Sequence, residues 1–455
     1  MEGSPRDDAR PAQGLASPLV PLLYFGLAQA LLLTACAALA LDPADVAGRL
    51  PGPGGFLAPW TIGLTHLVTI GWVSASILGS LYAIAPLALK SRMPSGAADR
   101  AAFTLFAAGC LGVAGGFLGD APGVAAWSGS LVLAGALFVG WRTSTVIRGS
   151  RIHGAVKLHV VLAFTNLAAG GAMGMLHALP AARAWLPEDP LPRLAAHLHL
   201  AAIGWGVMMV AGIGYRMLPM VLPSSTPAGP SLYASAVLLQ AGVIGMTGSF
   251  LFAGRSSGPA AALVIAGLGV FFLHVLWMRA RMRRPAAWIA RPDPGALQAR
   301  AALLCGGLAV LCGTALMASP EAAWTPRLRA VYGVLGVVGF LAQIVVGVRT
   351  RILPMFAALH VNLARGCEVA PITPAHMGSV RARWAVLLLW IAGVPLLAAG
   401  MALPSVLLVG AAGWLLLAAT AIDGIEAVVV ARVAFGRGRL RRRPATPRRT
   451  VPFSA

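Results

Sequence analysis

One apolar motif occurs three times in this chain, and its third copy lacks the histidine that opens the other two. His66 is followed by Gly71-Trp72, Gly79, Tyr82 and Pro86, and His199 is followed at the same offsets by Gly204-Trp205, Gly212, Tyr215 and Pro219. The third copy keeps Gly339-Phe340, Gly347 and Pro354, with Val334 in the histidine position and Thr350 in the tyrosine position. The copies lie 133 and 135 residues apart. A spacing near one third of the 455 residues predicts three similar units around a common axis. The missing third histidine implies that any metal-centred chemistry built on the motif is incomplete or relocated.

The units must be made of membrane-spanning helices. Charged residues are 11% of the chain and apolar residues 58%, against roughly 25% charge in soluble domains. Apolar runs recur along the whole length, each near the ~20 residues that cross a bilayer core as a helix. Backbone groups find no water there, so such runs close their hydrogen bonds internally. Twelve helices are predicted, at 18–42, 58–88, 101–119, 122–141, 157–180, 194–222, 231–253, 259–279, 297–318, 329–354, 383–402 and 404–431. The three motif copies fall on the second, sixth and tenth. The expected fold is therefore an all-α integral membrane protein of twelve helices in three pseudo-symmetric four-helix arcs. Repeat units of about 18–141, 157–279 and 297–431 form one transmembrane domain, 18–432, with the motif helices innermost. A twelve-helix transporter built from two six-helix halves would repeat near half its length, which this chain does not.

Loop charges predict the orientation. One side collects Arg6 and Arg10, Lys90 to Arg100, Arg142 to Lys157, Arg279 to Arg291, Arg365 to Arg383, and the tail from Arg432 to Arg449. The other side has Arg49, Arg183, Arg193, Arg255, Arg327 and Arg329. The positive-inside rule then places both termini in the cytoplasm, as expected for a bacterial-type inner (plasma) membrane. This asymmetry explains most of the net charge of +21. Residues 1–17 are read as a cytoplasmic segment, and 433–455 as a basic, disordered tail touching anionic lipid heads rather than nucleic acid. Leu33-Thr34-Ala35-Cys36 faintly resembles a lipoprotein cleavage site, but the long apolar run is read as a retained first helix. The segment 355–382 is expected to be a cytoplasmic loop carrying two ordinary surface histidines, His360 and His376. The five cysteines, Cys36, Cys110, Cys305, Cys312 and Cys367, form no CxxC pair and imply no disulfide.

The predicted helix directions put His66, His177, His197 and His199 in one layer toward the outer side. Ionisable residues within membrane helices point to function by default, and neutral imidazole is a common ligand of metals and heme iron. His197 and His199 are two residues apart on a helix, so they face different neighbours. For each histidine alone, an interhelical hydrogen bond is an equally good reading. His159 and His274, near the cytoplasmic ends of their helices, are read as structural.

This plan resembles subunit I of the heme–copper oxidases, a superfamily that includes the C-type oxidases and the nitric oxide reductases. The resemblance covers the transmembrane span by topology and three helices by motif. It implies that His66 matches the low-spin heme ligand of the second helix, and that His199 or His197 matches the sixth-helix copper position. The chain departs from the family elsewhere. Its seventh helix has no histidine, and Tyr332 and Val334 replace the tenth-helix H-x-H. A dioxygen-reducing centre is therefore not expected. The resemblance implies heme b, or copper as a lesser alternative, held by His66, His177, His197 and His199. Arg193, Arg327 and Arg329 stand beside the relevant helix starts, where guanidinium would suit heme propionates. The function expected is electron transfer, heme or copper handling, or a response to nitric oxide, with a redox partner or respiratory subunit. The alternative is a cofactor-free protein of the same fold, acting as an assembly partner or transporter.

Overall fold

The computed structural model describes residues 17–50, 54–91, 93–179, 186–221, 223–252, 256–283, 292–365 and 372–435. Twelve helices among them are long and apolar enough to cross a membrane. They are α1 (Leu19–Leu41), α2 (Pro59–Ala85), α3 (Ala97–Leu118), α4 (Pro122–Arg148), α5 (Gly154–Ala178) and α6 (Pro190–Met220). The others are α7 (Ser231–Leu251), α8 (Gly258–Ala280), α9 (Pro294–Ala318), α10 (Thr325–Leu363), α11 (Val380–Ala402) and α12 (Val406–Phe435). No strand occurs among the described residues. This is a multi-span, all-helical membrane protein.

Small residues decide which helices approach closely. An added Cβ would lie 2.5 Å from the Val132 backbone at Gly109, 2.7 Å from the Val264 backbone at Gly242, and 3.0 Å from Leu416 at Gly393. Glycine contacts of this kind bind the hairpins α3–α4, α7–α8 and α11–α12, as expected where helices associate by close packing rather than by water exclusion. The motif helices α2, α6 and α10 touch one another at the centre. The spans of α2 and α10 are the most enclosed, 72% and 61% buried, whereas α9 is only 17% buried. Around the outside, α12 packs on α1 and α4 packs on α5, but α8 and α9 scarcely meet.

Each motif helix changes winding at the motif. A π-helical segment runs over Leu67–Ser74 in α2, Leu200–Val207 in α6 and Val334–Ala342 in α10. Such segments are rare and often mark functional sites. The three touch one another, and tryptophans at one motif position tie them together. Trp72 Nε1 donates to the Ala342 carbonyl at 3.1 Å, and Trp205 Nε1 donates to Ser74 Oγ at 2.9 Å. The third copy has Phe340, which has no donor to continue the pattern.

Two expectations need correction. Residues 355–365 are not loop: the helix continues to Arg365, and His360 packs on Phe356 and Phe435 with ring centres 4.3 and 5.3 Å apart. Helix α12 extends to Phe435, past the expected helix end at 431 and into the expected tail from 433. The rest of the tail, the segment 1–16, Arg183, Arg255 and Cys367 lie outside the described residues. The other four cysteines are unpaired thiols.

Candidate functional site

A cavity of about 1270 Å³ occupies the half of the bundle that the arginine asymmetry assigns to the outside. It is larger than the roughly 300–1,000 Å³ of an ordinary small-ligand site. Its wall is mostly apolar and includes all four histidines of the predicted layer, His66, His177, His197 and His199.

Backbone carbonyls fix the ring orientations. His66 Nδ1 bonds the Ile62 carbonyl at 2.7 Å, and His199 Nδ1 bonds the Ala195 carbonyl at 2.7 Å, each four residues back on its own helix. His197 Nδ1 reaches across to the Gly170 carbonyl on α5 at 2.8 Å. A carbonyl only accepts, so in all three rings Nδ1 carries the proton. The Nε2 of a neutral ring then keeps its lone pair, which is how ligating histidines are set up by their surroundings. Glycine permits this arrangement, since a Cβ at Gly174 would lie 2.9 Å from His197 Cε1.

The imidazoles form a row rather than a cluster. His66 and His197 have ring centres 6.2 Å apart with planes at 28°, and His177 and His197 are 6.0 Å apart at 53°. Two imidazoles holding one metal in line have ring centres about 6 Å apart, given metal–nitrogen bonds of roughly 2.0–2.1 Å. The pairwise spacing would allow two imidazoles to hold one group between them. Among the described residues, no group of three or more His, Cys, Asp or Glu side chains converges as a metal-ion site.

His199 points away from this row. Its ring packs 5.1 Å from Phe250 and 6.5 Å from Tyr332, nearly parallel to the latter at 23°. Of the three predicted propionate partners, Arg193 is half-buried in the cavity wall and Arg329 is an exposed residue at its edge. Arg327 is exposed and is not part of the wall. None of the three forms an ion pair among the described residues. His159 and His274 sit apart from the cavity. His159 bonds the Ala155 carbonyl, and His274 bridges Tyr215 and Ser231.

Sequence reasoning missed a second polar feature. Arg349 on α10 is 3% exposed and pairs with Asp423 on α12, with Gln29 of α1 as a further acceptor. Its guanidinium lies 4.7 Å over the Trp72 ring. Arg351–Asp293 and Arg383–Glu426 extend the charged group. Opposite charges inside apolar runs were the available sign.

Fold and cavity together define a polytopic helical membrane protein with a histidine-lined interior chamber. Comparison with protein families and with curated proteins gives no match.

Proposed function

We propose that this chain is a divergent heme–copper-oxidase-like membrane protein, its twelve helices forming three four-helix arcs, which holds heme b between His66 and His197. The observation that carries the reading is the 6.2 Å separation of these two rings, both with Nδ1 committed to carbonyl oxygens. Heme supplies one-electron exchange when bound. His66 and His197, on two different motif helices, would hold it through their Nε2 atoms. Arg193 and Arg329 would meet the propionates at the outer edge through charge-assisted hydrogen bonds. The apolar wall would exclude water and so favour the reduced, less charged state. Helix α7 has no histidine, and Tyr332 and Val334 occupy the H-x-H positions, so these residues do not make a second metal centre for dioxygen reduction. Electron transfer, heme handling or a nitric oxide response fits the residue set better, in a plasma-type membrane with cytoplasmic termini.

The test is an absorption spectrum of protein purified in detergent. A low-spin, bis-imidazole spectrum that sharpens on reduction is expected. His66→Ala or His197→Ala should abolish the low-spin form. Arg193→Ala or Arg329→Ala should preserve its type while lowering heme retention or shifting the midpoint potential. A protein that carries no heme and binds no added hemin would overturn the proposal in favour of a cofactor-free assembly partner or transporter.

A further inference from the structure

The central motif helices and the outer helices are loosest at the same place. Trp72 ties α2 to α10, and Trp205 ties α6 to α2. Among the described residues no indole bond joins α6 to α10, because the third copy has Phe340. Beside that junction α8 and α9 scarcely meet, whereas α4 packs on α5 and α12 on α1. Helix α8 packs on α7 and touches α6, α9 packs on α10 and α11, and no described helix packs against both. The two helices face the chamber instead of each other. Ala261, Val264, Leu268 and Phe272 of α8 line it. So do Gly306, Ala309, Gly313 and Met317 of α9. In both helices these positions follow the first by 3, 7 and 11 residues, which is one helical face. The result is a slot with two parallel walls.

We infer that this slot binds one acyl chain of a phospholipid from the arginine-poor leaflet, drawn out of the bilayer and into the chamber wall. Its length fits. Eleven steps at the helical rise make each wall about 17 Å long, and one leaflet of the hydrocarbon core is about 15 Å deep. Its position fits as well. Ala261 and Met317 lie near the arginine-poor ends of their helices, so the slot runs inward from the head-group level. Its chemistry admits hydrocarbon and little else. No charged residue of α8 or α9 lines the cavity, and the one hydroxyl on those faces, Thr314, donates to the Val310 carbonyl of its own helix. Water needs polar partners to occupy a cavity, and it finds none on these walls. Protein interiors leave few voids larger than a water molecule. A long apolar slot between two helices that do not close on each other therefore fills from the adjacent hydrocarbon. Ile265 and Met317 belong to the wall yet are 41% and 37% exposed, as the lips of such an opening would be. The head group stays at the surface, since nothing along the slot would pair with it. The inference does not depend on what His66 and His197 hold.

The full-length protein in vesicles of phosphatidylglycerol and phosphatidylethanolamine tests this, with a diazirine midway along one acyl chain of the phosphatidylglycerol. Photolysis should label residues 261–272 and 306–317 several-fold more than Trp127 and Leu131, which are exposed on α4. Ala261→Trp combined with Ala309→Trp should fill the slot and remove that excess. Ala262→Trp, at an exposed position of α8 outside the cavity wall, should leave it unchanged. Native mass spectrometry of the wild-type chain needs no variant. It should find one phospholipid per chain still bound after the surrounding lipid has been stripped by detergent. Equal labelling of all exposed helix faces, with no retained phospholipid, would overturn the inference. So would an excess that survives in a double variant whose circular dichroism melt shows it folded. A dimer with α8 and α9 protected from the label would also overturn it, since a second copy would then cover the slot. Heme content enters none of these readouts, so failure here is separate from failure of the heme reading.

Discussion

Arg349 shows how a single residue couples the polar interior to the motif. Its guanidinium is buried against Asp423 and lies over Trp72, whose indole holds the Ala342 carbonyl. Removing one member of such a pair strands the other charge in low dielectric, at a cost of about 3–5 kcal/mol, whereas replacing both with apolar groups costs much less. Arg349→Met and Asp423→Leu should each lower the thermal unfolding midpoint sharply. The double variant should recover most of that loss, measured by circular dichroism in detergent. Equal or greater damage in the double variant would mean that the pair contributes net stability. At this scale the sequence was only partly informative. His66 and His199 stood out because the repeat aligned them, and Arg349 was hidden because its partner lies 74 residues away on another helix. Tyr332 was visible as a departure from H-x-H, but its pairing with His199 depends on how neighbouring units meet.

The elements were more legible than their winding. Charge-poor runs near bilayer length located all twelve helices, because a spanning backbone has to satisfy itself within the segment. The tenth helix was expected to end at Pro354. Membrane helices tolerate proline, and α10 runs through it to Arg365. The π-helical segments left no readable mark beyond the Gly-Trp and Gly-Phe pairs that fall inside them. Gly204 lies in one of these pairs and supports an explicit prediction. A Cβ there would come within 2.7 Å of Asn166, whose amide is already held by the Gly204 carbonyl and by Gln240. Asn166 cannot swing away without losing those bonds, so Gly204→Leu should cost about 1–3 kcal/mol or more. Gly115 has nothing within 4 Å of an added Cβ, and Gly115→Ala should stay within about 0.5 kcal/mol. Reversible unfolding in mixed micelles would compare them. Similar losses for the two would mean that the α5–α6 contact is softer than it looks.

For the molecule as a whole, the repeat period carried the expectation of threefold organisation, and the contacts add that α4 packs on α5 and α12 on α1 while α8 and α9 scarcely meet. Inequality could not be read from the motif, because it arises between α8 and α9, which carry no motif residue. Sidedness rests on the loop arginines and lysines, and it determines which leaflet the histidine layer occupies. The short turn between α3 and α4 contains Asp120, and the turn between α11 and α12 contains Pro404, both at the arginine-poor end. Gly149, between α4 and α5, lies at the arginine-rich end beside Arg148 and Arg151. Positive-inside placement therefore predicts opposite accessibility for these sites. In a background with the native cysteines replaced, Asp120→Cys and Pro404→Cys should react with a membrane-impermeant maleimide in intact cells. Gly149→Cys should react only after the membrane is opened. Because His66, His197 and His199 share the end that holds Asp120, the same labelling decides on which side of the membrane the histidine-lined cavity lies. Labelling of Gly149→Cys from outside, with protection of the other two, would invert the protein and move the histidine layer to the cytoplasmic leaflet.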